Sequence, residues 1–349
     1  MVYIFSVLLS QRPPDRIHRN MNIYKATRAN IGFAADIIRE GGIVSFPTET
    51  VYGLGADIFN PEAVVKIFAA KERPFFDPLI AHIAEPEGLH DLTELHPAMV
   101  SRLAEKFWPG PLTMVLPKKS SVPDIATSGL PTVAVRMPDH PVARELIRVS
   151  GTAIAAPSAN PFGYLSPTSA EHVERYLGDR IPMIIDGGTC TVGVESTIIK
   201  VEEGRTILLR PGGIAIEDIE TVTGPLVHET NDTNNPEAPG QLPWHYSPEK
   251  RLQIVPDIND LTTIENDAAF LLYKKKSPAI LRNVPEAHIA LLSESGDLAE
   301  AAANIFAKLH YLDRLPVKTI YAEAVPEEGL GRAIMDRLLK ASKKYQSGE

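Results

Sequence analysis

The sequence predicts an α/β protein: an open, twisted, mixed sheet flanked by helices, followed by a smaller Rossmann-like α/β unit. Three observations predict it. Helical periodicity alternates with short apolar, β-branched runs from about residue 31 to residue 210. Several of those runs succeed one another with no helix between them, so the sheet is expected to be mixed rather than wholly parallel. Between residues 223 and 248 the composition shifts to Pro, Asn, Thr and Glu, and a second alternation follows.

Taken in order, "VYIFSVLL" at 2–9 is apolar but too short to cross a bilayer, and no Lys or Arg precedes it as in a secretory signal. Met21 opens "MNIYKAT", which reads as a natural beginning. Residues 1–22 are therefore expected to be an N-terminal extension, disordered or lying ahead of the native start, and no membrane anchor is expected. "FAADIIRE" has helical spacing and stops at Gly41-Gly42. "IVSF" follows as a buried strand. "NPEAVVKIFAAKER" starts a helix with Asn60 as N-cap and Pro61 at the first helical position. "LIAHI", "LTMVL", "TVAVR" and "TAIAA" are β-rich, with "PAMVSRLAEKFW" and "PVARELIRV" helical between them. "TSAEHVERYLG" supplies another helix, and "PMIID", "STIIKV" and "TILLR" read as strands. These runs place a first domain at 23–222, a linker at 223–250 and a C-terminal α/β domain at 251–349. In the last, "AAFLLY", "PAILR", "HIALL", "LAEAAANIFAKLHYLDR", "VKTIYAE" and "GLGRAIMDRLLKASKK" carry the pattern.

The bulk numbers narrow the function. With 35 Lys plus Arg against 44 Asp plus Glu, the net charge of −9 argues against a wholesale nucleic-acid coat, while a local basic cleft remains compatible. The single cysteine, Cys190, excludes an internal disulfide and any multi-cysteine zinc site, and it suits a cytoplasmic setting. No GxxxxGK[ST] loop, GxGxxG, HExxH or paired CxxC is present, so any nucleotide chemistry uses another device.

The candidate chemistry lies at element ends. "SFPTETVYGLGAD" at 45–57 lines up Thr48, Glu49 and Thr50, with Gly53 and Gly55 letting a backbone approach a ligand; an ordinary strand-to-loop turn uses the same residues. In "KERPFFDPLIAHI" at 71–83, Lys71 and Arg73 either hold phosphate oxygens or form a solvated helix end suited to the dipole. His82 alternates inside an apolar strand, where a core histidine is the commoner role. Arg136 ends a strand, with Ser128 and Thr132 upstream, and either projects into a cleft or pairs with Asp139 or another surface carboxylate. "AAPSANPFGYLSPTSAEHV" gathers Ser158, Asn160, Ser166 and Thr168 near a helix N-terminus, as anion donors or as plain caps. "GGTCTVGVESTIIKV" leads to Ser196, and "LLRPGG" again ends a strand in Arg before Pro, at Arg210. Three such ends, Arg73, Arg136 and Arg210, point to a polyanion in a crevice at strand ends.

"SFPTETVYGLGAD", "KERPFFDPLIAHI", "WPGPLTMVL", "VAVRMPDHP", "APSANPFGYLSPT", "GVEST" and "LLRPGG" occur in the order seen in the YrdC-like threonylcarbamoyl-AMP synthases, which the chain resembles over about residues 27 to 215. The "APGQLPWHYSP" linker and the trailing domain resemble the longer, two-domain form. The resemblance implies a YrdC-like fold and a nucleotidyltransferase. Such an enzyme combines L-threonine, bicarbonate or CO2, and ATP (with Mg2+) into threonylcarbamoyl-adenylate and pyrophosphate. The product supplies the group placed on the tRNA adenosine beside the anticodon, through downstream tRNA threonylcarbamoyl-transferase proteins. By motif position it implies threonine contacts at Thr50, His82, Arg136, Ala156 and Ser196. ATP contacts are implied at Arg73, Asp77, Ser128, Thr132, Ser158, Ser166, Arg210 and Tyr246. Lys71, Arg73 and Arg136 are the expected catalytic residues, with no protein metal site. Asp77 stands where many relatives place Asn, and "QLPW" replaces a basic or Met-containing stretch; the linker with His245 and Tyr246 is the candidate lid. The main alternative is a non-catalytic RNA-binding module using the same cleft, with salt-sensitive affinity and no threonine dependence. A hydrogenase-maturation carbamoyl transferase shares a similar domain but carries zinc-binding cysteine pairs, which a single cysteine excludes.

Overall fold

The computed structural model describes residues 22–94, 96–228, 236–242 and 245–344. The expected N-terminal extension, apart from Asn22, and the Pro243-Trp244 pair of the linker lie outside them. Fifteen strands are described: β1 (Ile23–Lys25), β2 (Val44–Phe46), β3 (Gly53–Asp57), β4 (Ile80–His82), β5 (Leu112–Pro117), β6 (Thr132–Arg136), β7 (Ile154–Ala155), β8 (Ile184–Asp186), β9 (Thr197–Glu202), β10 (Arg205–Arg210), β11 (Val227–His228), β12 (Arg251–Val255), β13 (Ala268–Lys274), β14 (Ile289–Ser293) and β15 (Thr319–Glu323). The helices longer than one turn are α1 (Arg28–Arg39), α2 (Pro61–Lys71), α3 (Ala98–Phe107), α4 (Pro141–Ser150), α5 (Ala170–Leu177), α6 (Ile216–Thr223), α7 (Leu298–Asp313) and α8 (Gly331–Lys343).

The first eleven strands form one sheet, ordered β1-β8-β2-β3-β7-β4-β6-β5-β9-β10-β11. It is mixed: β4 runs parallel to β6 and β5 to β9, while β3, β7 and β4 are mutually antiparallel where they pair. Side chains alternate across it, as strand geometry requires. Ile154 and Ala156 pack in the layer under α1 and α4, with Phe46, Ala35 and Leu146, whereas Ala155 belongs to the opposite layer, with Ile67 and Phe68 of α2. Thr27 and Asn60 cap α1 and α2 by accepting from Asn30 N, and from Glu62 N and Ala63 N.

"GLGAD" forms strand β3 rather than a ligand-approach turn. A Cβ on Gly55 would stand 2.6 Å from both Phe46 and Ile154, so this glycine is required by sheet packing. Gly53 faces the cleft described below. "PAILR" folds as a single 3-10 turn at Ala279–Leu281.

The C-terminal sheet is fully parallel, ordered β12-β15-β13-β14. Helices α7 and α8 cover one face. Their apolar cluster also takes in Val51, Leu165, Val194 and Tyr246, so the contact with the preceding sheet is continuous with a hydrophobic core. Cys190 is buried, and burial pushes its thiol up to about 12. No helix of the described residues is long and apolar enough to cross a membrane.

Candidate active site

A cavity opens at the ends of β4, β6 and β10. Nine residues expected from the sequence line it: Thr50, Arg73, His82, Arg136, Ala156, Ser158, Ser196, Arg210 and Tyr246. Thr48, Gly53, Glu195, Gly240 and His245 join them.

Arg136 is pinned on three sides. Its Nη1 donates to Thr50 Oγ1 at 2.9 Å, its Nε donates to the Gly110 carbonyl at 3.3 Å, and its Nη2 lies 2.6 Å from Glu49 Oε1. Thr48 Oγ1 donates to the Val51 carbonyl at 2.6 Å, so the Thr50 hydroxyl, 2.8 Å away, donates to Thr48. Thr50 Oγ1 is thereby oriented as the acceptor that Arg136 needs. Beside it, burial and then Arg136 push His82 down to about 3, so its imidazole is neutral and donates from Nδ1 to the Ile80 carbonyl at 3.1 Å. A neutral ring there neither competes with Arg136 for a carboxylate nor repels an ammonium group.

Across the cavity, Arg73 donates to the carbonyls of Asp77 and Pro78 at 3.1 and 2.9 Å and pairs with Asp77 Oδ2 at 2.9 Å. Burial pushes the Asp77 carboxyl up, while Arg73, Lys71 and Arg210 oppose it. Arg210 donates to Ser196 O at 2.9 Å and to the Pro239 carbonyl at 3.0 Å, and it forms no ion pair among the described residues. Ser196 Oγ is 2.7 Å from Thr113 Oγ1. Pro239, Gly240, His245 and Tyr246 bring the linker into the wall. Tyr246 is 1% exposed with φ of 62°, and Gly240 has φ of 80°. A Cβ on Gly240 would meet the Tyr246 hydroxyl at 2.5 Å. Burial, and then Arg73, push His245 well below its ordinary value, and its Nδ1 is buried with no hydrogen-bond partner among the described residues.

Five expected residues do not line the cavity. Lys71 is buried behind it, donating to the carbonyls of Ser158 and Asn160, so its ammonium fixes that turn. Asp77 lies behind Arg73. The Ser166 hydroxyl donates to Glu195 Oε1 at 2.5 Å. Ser128 is half-buried in the left-handed region at φ 55°, with an unpartnered Oγ. Thr132 starts β6 and shares a face with Arg136, two pleats away. Among the described residues, no group of three or more His, Cys, Asp or Glu is placed to hold a metal ion. The site carboxylates already have cationic or hydroxyl partners.

Two family models match the chain. One, described as telomere recombination (Sua5_yciO_yrdC), covers residues 36–212, and one described as the C-terminal domain of threonylcarbamoyl-AMP synthase covers residues 214–343. A threonylcarbamoyl-AMP synthase of Pyrococcus abyssi is 44% identical over 318 residues, which span 89% of this chain and 94% of that one. The chain belongs to the threonylcarbamoyl-AMP synthase family. The Bacillus subtilis threonylcarbamoyl-AMP synthase is 42% identical over 89% of this chain and 92% of its own. Among solved structures, P. abyssi Sua5 complexed with L-threonine superposes with a TM-score of 0.82 at 40% identity, covering 92% of this chain and 97% of that one.

Within this family's fold, Glu195 was not legible as a site residue. "GVEST" reads as a small-residue surface, and the partner that gives Glu195 its place lies 142 residues further on.

Proposed function

We infer that the chain synthesises L-threonylcarbamoyl-AMP and pyrophosphate from L-threonine, bicarbonate or CO2, and ATP, for modification of the tRNA adenosine beside the anticodon. The observation that carries this reading is Arg136, held by Thr50 and Glu49 beside a neutral imidazole, in one cavity with Arg73 and Arg210. An α-amino acid carboxylate suits Arg136, whose planar fork matches two oxygens. The nucleotide phosphates suit Arg210 and Arg73, and the orphaned His245 Nδ1 is a further polar contact for the nucleotide.

The chemistry needs no protein nucleophile. The threonine amine, having lost a proton, adds its lone pair to the carbon of CO2. A carbamate oxygen then attacks the α-phosphorus in line, and the bond to the bridging oxygen breaks, so pyrophosphate leaves with the electron pair. The protein's part is to hold two anions at bonding distance and to stabilise charge growing on phosphate with fixed donors. Lys71 contributes by locking the Ser158–Asn160 turn against the cavity. The linker wall excludes water from a labile carbamate, which accords with its role as a lid. Mg2+ would enter with the ATP phosphates as part of the substrate. The adenylate is then consumed by a transferase acting on tRNA.

The test is pyrophosphate release with threonine, bicarbonate and ATP each omitted in turn. Release that requires all three, with an adenylate of the expected mass, is the expected result. ATP left intact, or hydrolysed regardless of threonine, would overturn the reading.

A further inference from the structure

Arg337 lies on α8, in the C-terminal unit, and its side chain is fully buried. Its Nε donates to Glu195 Oε2 at 2.7 Å and its Nη2 to the Pro211 carbonyl at 3.1 Å. Its guanidinium carbon stands 4.9 Å from the centre of the Tyr246 ring. Glu195 and Tyr246 both line the cavity, whereas Arg337 stands directly behind them. One turn further along α8, Lys340 donates to the Gly240 carbonyl at 2.7 Å, and Gly240 lies under the Tyr246 hydroxyl.

The cations around the cavity have carboxylate partners, with one exception. Arg73 takes Asp77, Arg136 takes Glu49, and Arg337 takes both Glu195 and its neighbour Asp336, which Lys340 also holds. Arg210 is the lining guanidinium with no carboxylate partner among the described residues. Burial alone pushes the Glu195 carboxyl up; Arg337 first, then Arg210 and the Ser166 hydroxyl, outweigh burial and hold it below the ordinary carboxylate range. Glu195 therefore feels Arg210 as well as Arg337. Without Arg337 its charge would fall on Arg210 and on the wall that a triphosphate must approach.

We propose that Arg337 is a positioning residue of the active site: it takes up the Glu195 carboxylate and backs the Tyr246 ring, so that Arg210 stays available to nucleotide phosphate. The proposal rests on the synthase reading and deepens it, because it makes α8 part of the ATP-side wall. A salt bridge that only fastened the two units need not touch the cavity. Arg332–Glu217 is such a bridge, with side chains 36% and 49% exposed, and neither residue lines the cavity.

The experiment measures ATP and threonine affinity separately by calorimetry on the full chain, alongside threonine-dependent pyrophosphate release. In Arg337→Met, ATP affinity is expected to fall about tenfold or more, while threonine affinity moves less than about threefold. Adding Glu195→Gln to Arg337→Met removes the charge unmasked on the cavity wall, while Asp336 stays paired with Lys340, and should recover most of the lost ATP affinity. Arg332→Met should bind both ligands like the wild type. An Arg337→Met protein that binds ATP as the wild type does would overturn the proposal. So would a parallel fall in both affinities, or a double variant no tighter than the single one. If Arg337→Met does not fold, Arg337→Gln, with or without Glu195→Gln, carries the same comparison. Failure of the synthase reading is distinct: the wild type would bind ATP yet release no pyrophosphate in response to threonine.

Discussion

Arg136 shows how a buried cation is prepared for a carboxylate. Its Nε and Nη1 have fixed acceptors, one of them oriented by the Thr48–Thr50 hydroxyl relay, and its Nη2 lies in ion-pair range of Glu49. Lysine keeps the charge but has neither the planar fork nor the reach to Gly110, Thr50 and Glu49 together. Arg136→Lys is therefore expected to raise the threonine KM about tenfold or more, with a smaller change in the ATP KM; equal changes in the two would argue against a threonine-side role. The three arginines that meet in the cavity were legible, because each sits at an element end next to Pro or one residue from it. The carboxylates that hold them were less so. Glu49 showed only as part of a polar run. Whether Arg136 pairs with Glu49 or Asp139 is decided by tertiary packing, and the structure chooses Glu49.

Among the elements, α5 and α7 meet through a pair of histidines. His172 and His310 stack with ring centres 4.0 Å apart, and His310 Nε2 donates to the Ser166 carbonyl at 3.1 Å. Burial pushes His172 down to about 4 and His310 to about 3, below the value of 6.5 expected on unfolding. Between these values the unfolded chain binds more protons than the folded one. The stability that depends on neutral rings is thus fully present above pH 6.5 and is lost as pH falls toward 4. His310→Gln keeps a donor for Ser166 and removes one of these titrations. It is expected to flatten the pH dependence of unfolding free energy between pH 5 and 6 by about 1.4 kcal/mol per unit. Urea titrations at the two pH values check this, and an unaltered slope would count against it. Most elements were legible from period and caps, such as Asn60 and Pro61 opening α2. Strand β3 was not, because its two glycines depress strand propensity, and the partners that require Gly55 are Phe46 and the distant Ile154.

For the whole molecule, loops beside the large sheet share one apolar cluster with the C-terminal unit. Val51, Leu165, Val194 and Tyr246 pack with Phe306, Ile305 and Leu338 of α7 and α8. A chain ending at residue 250 would expose that surface and lose Arg337. It is expected to aggregate, or to remain soluble with ATP affinity reduced at least as far as in Arg337→Met; size-exclusion chromatography and calorimetry distinguish the two. Full ATP affinity in a monodisperse truncation would contradict the shared wall. The composition shift at 223–248 is the sequence signal from which two units and a linker are expected. The dependence of one on the other was not legible, since α8 reads simply as an amphipathic helix, and nothing in "GRAIMDRLLK" marks one arginine as buried.

The order of synthesis adds a last consequence. Every cavity-lining residue precedes β12, yet the side chain behind Glu195 is carried on the final helix, α8. If the large sheet folds first during synthesis, as N-terminal domains generally do, it does so before α8 is available to pack on it. During that interval the nascent chain holds an unmasked Glu195 and an unbacked Tyr246. A chain in which α8 has yet to pack is expected to bind ATP about tenfold more weakly, as Arg337→Met does.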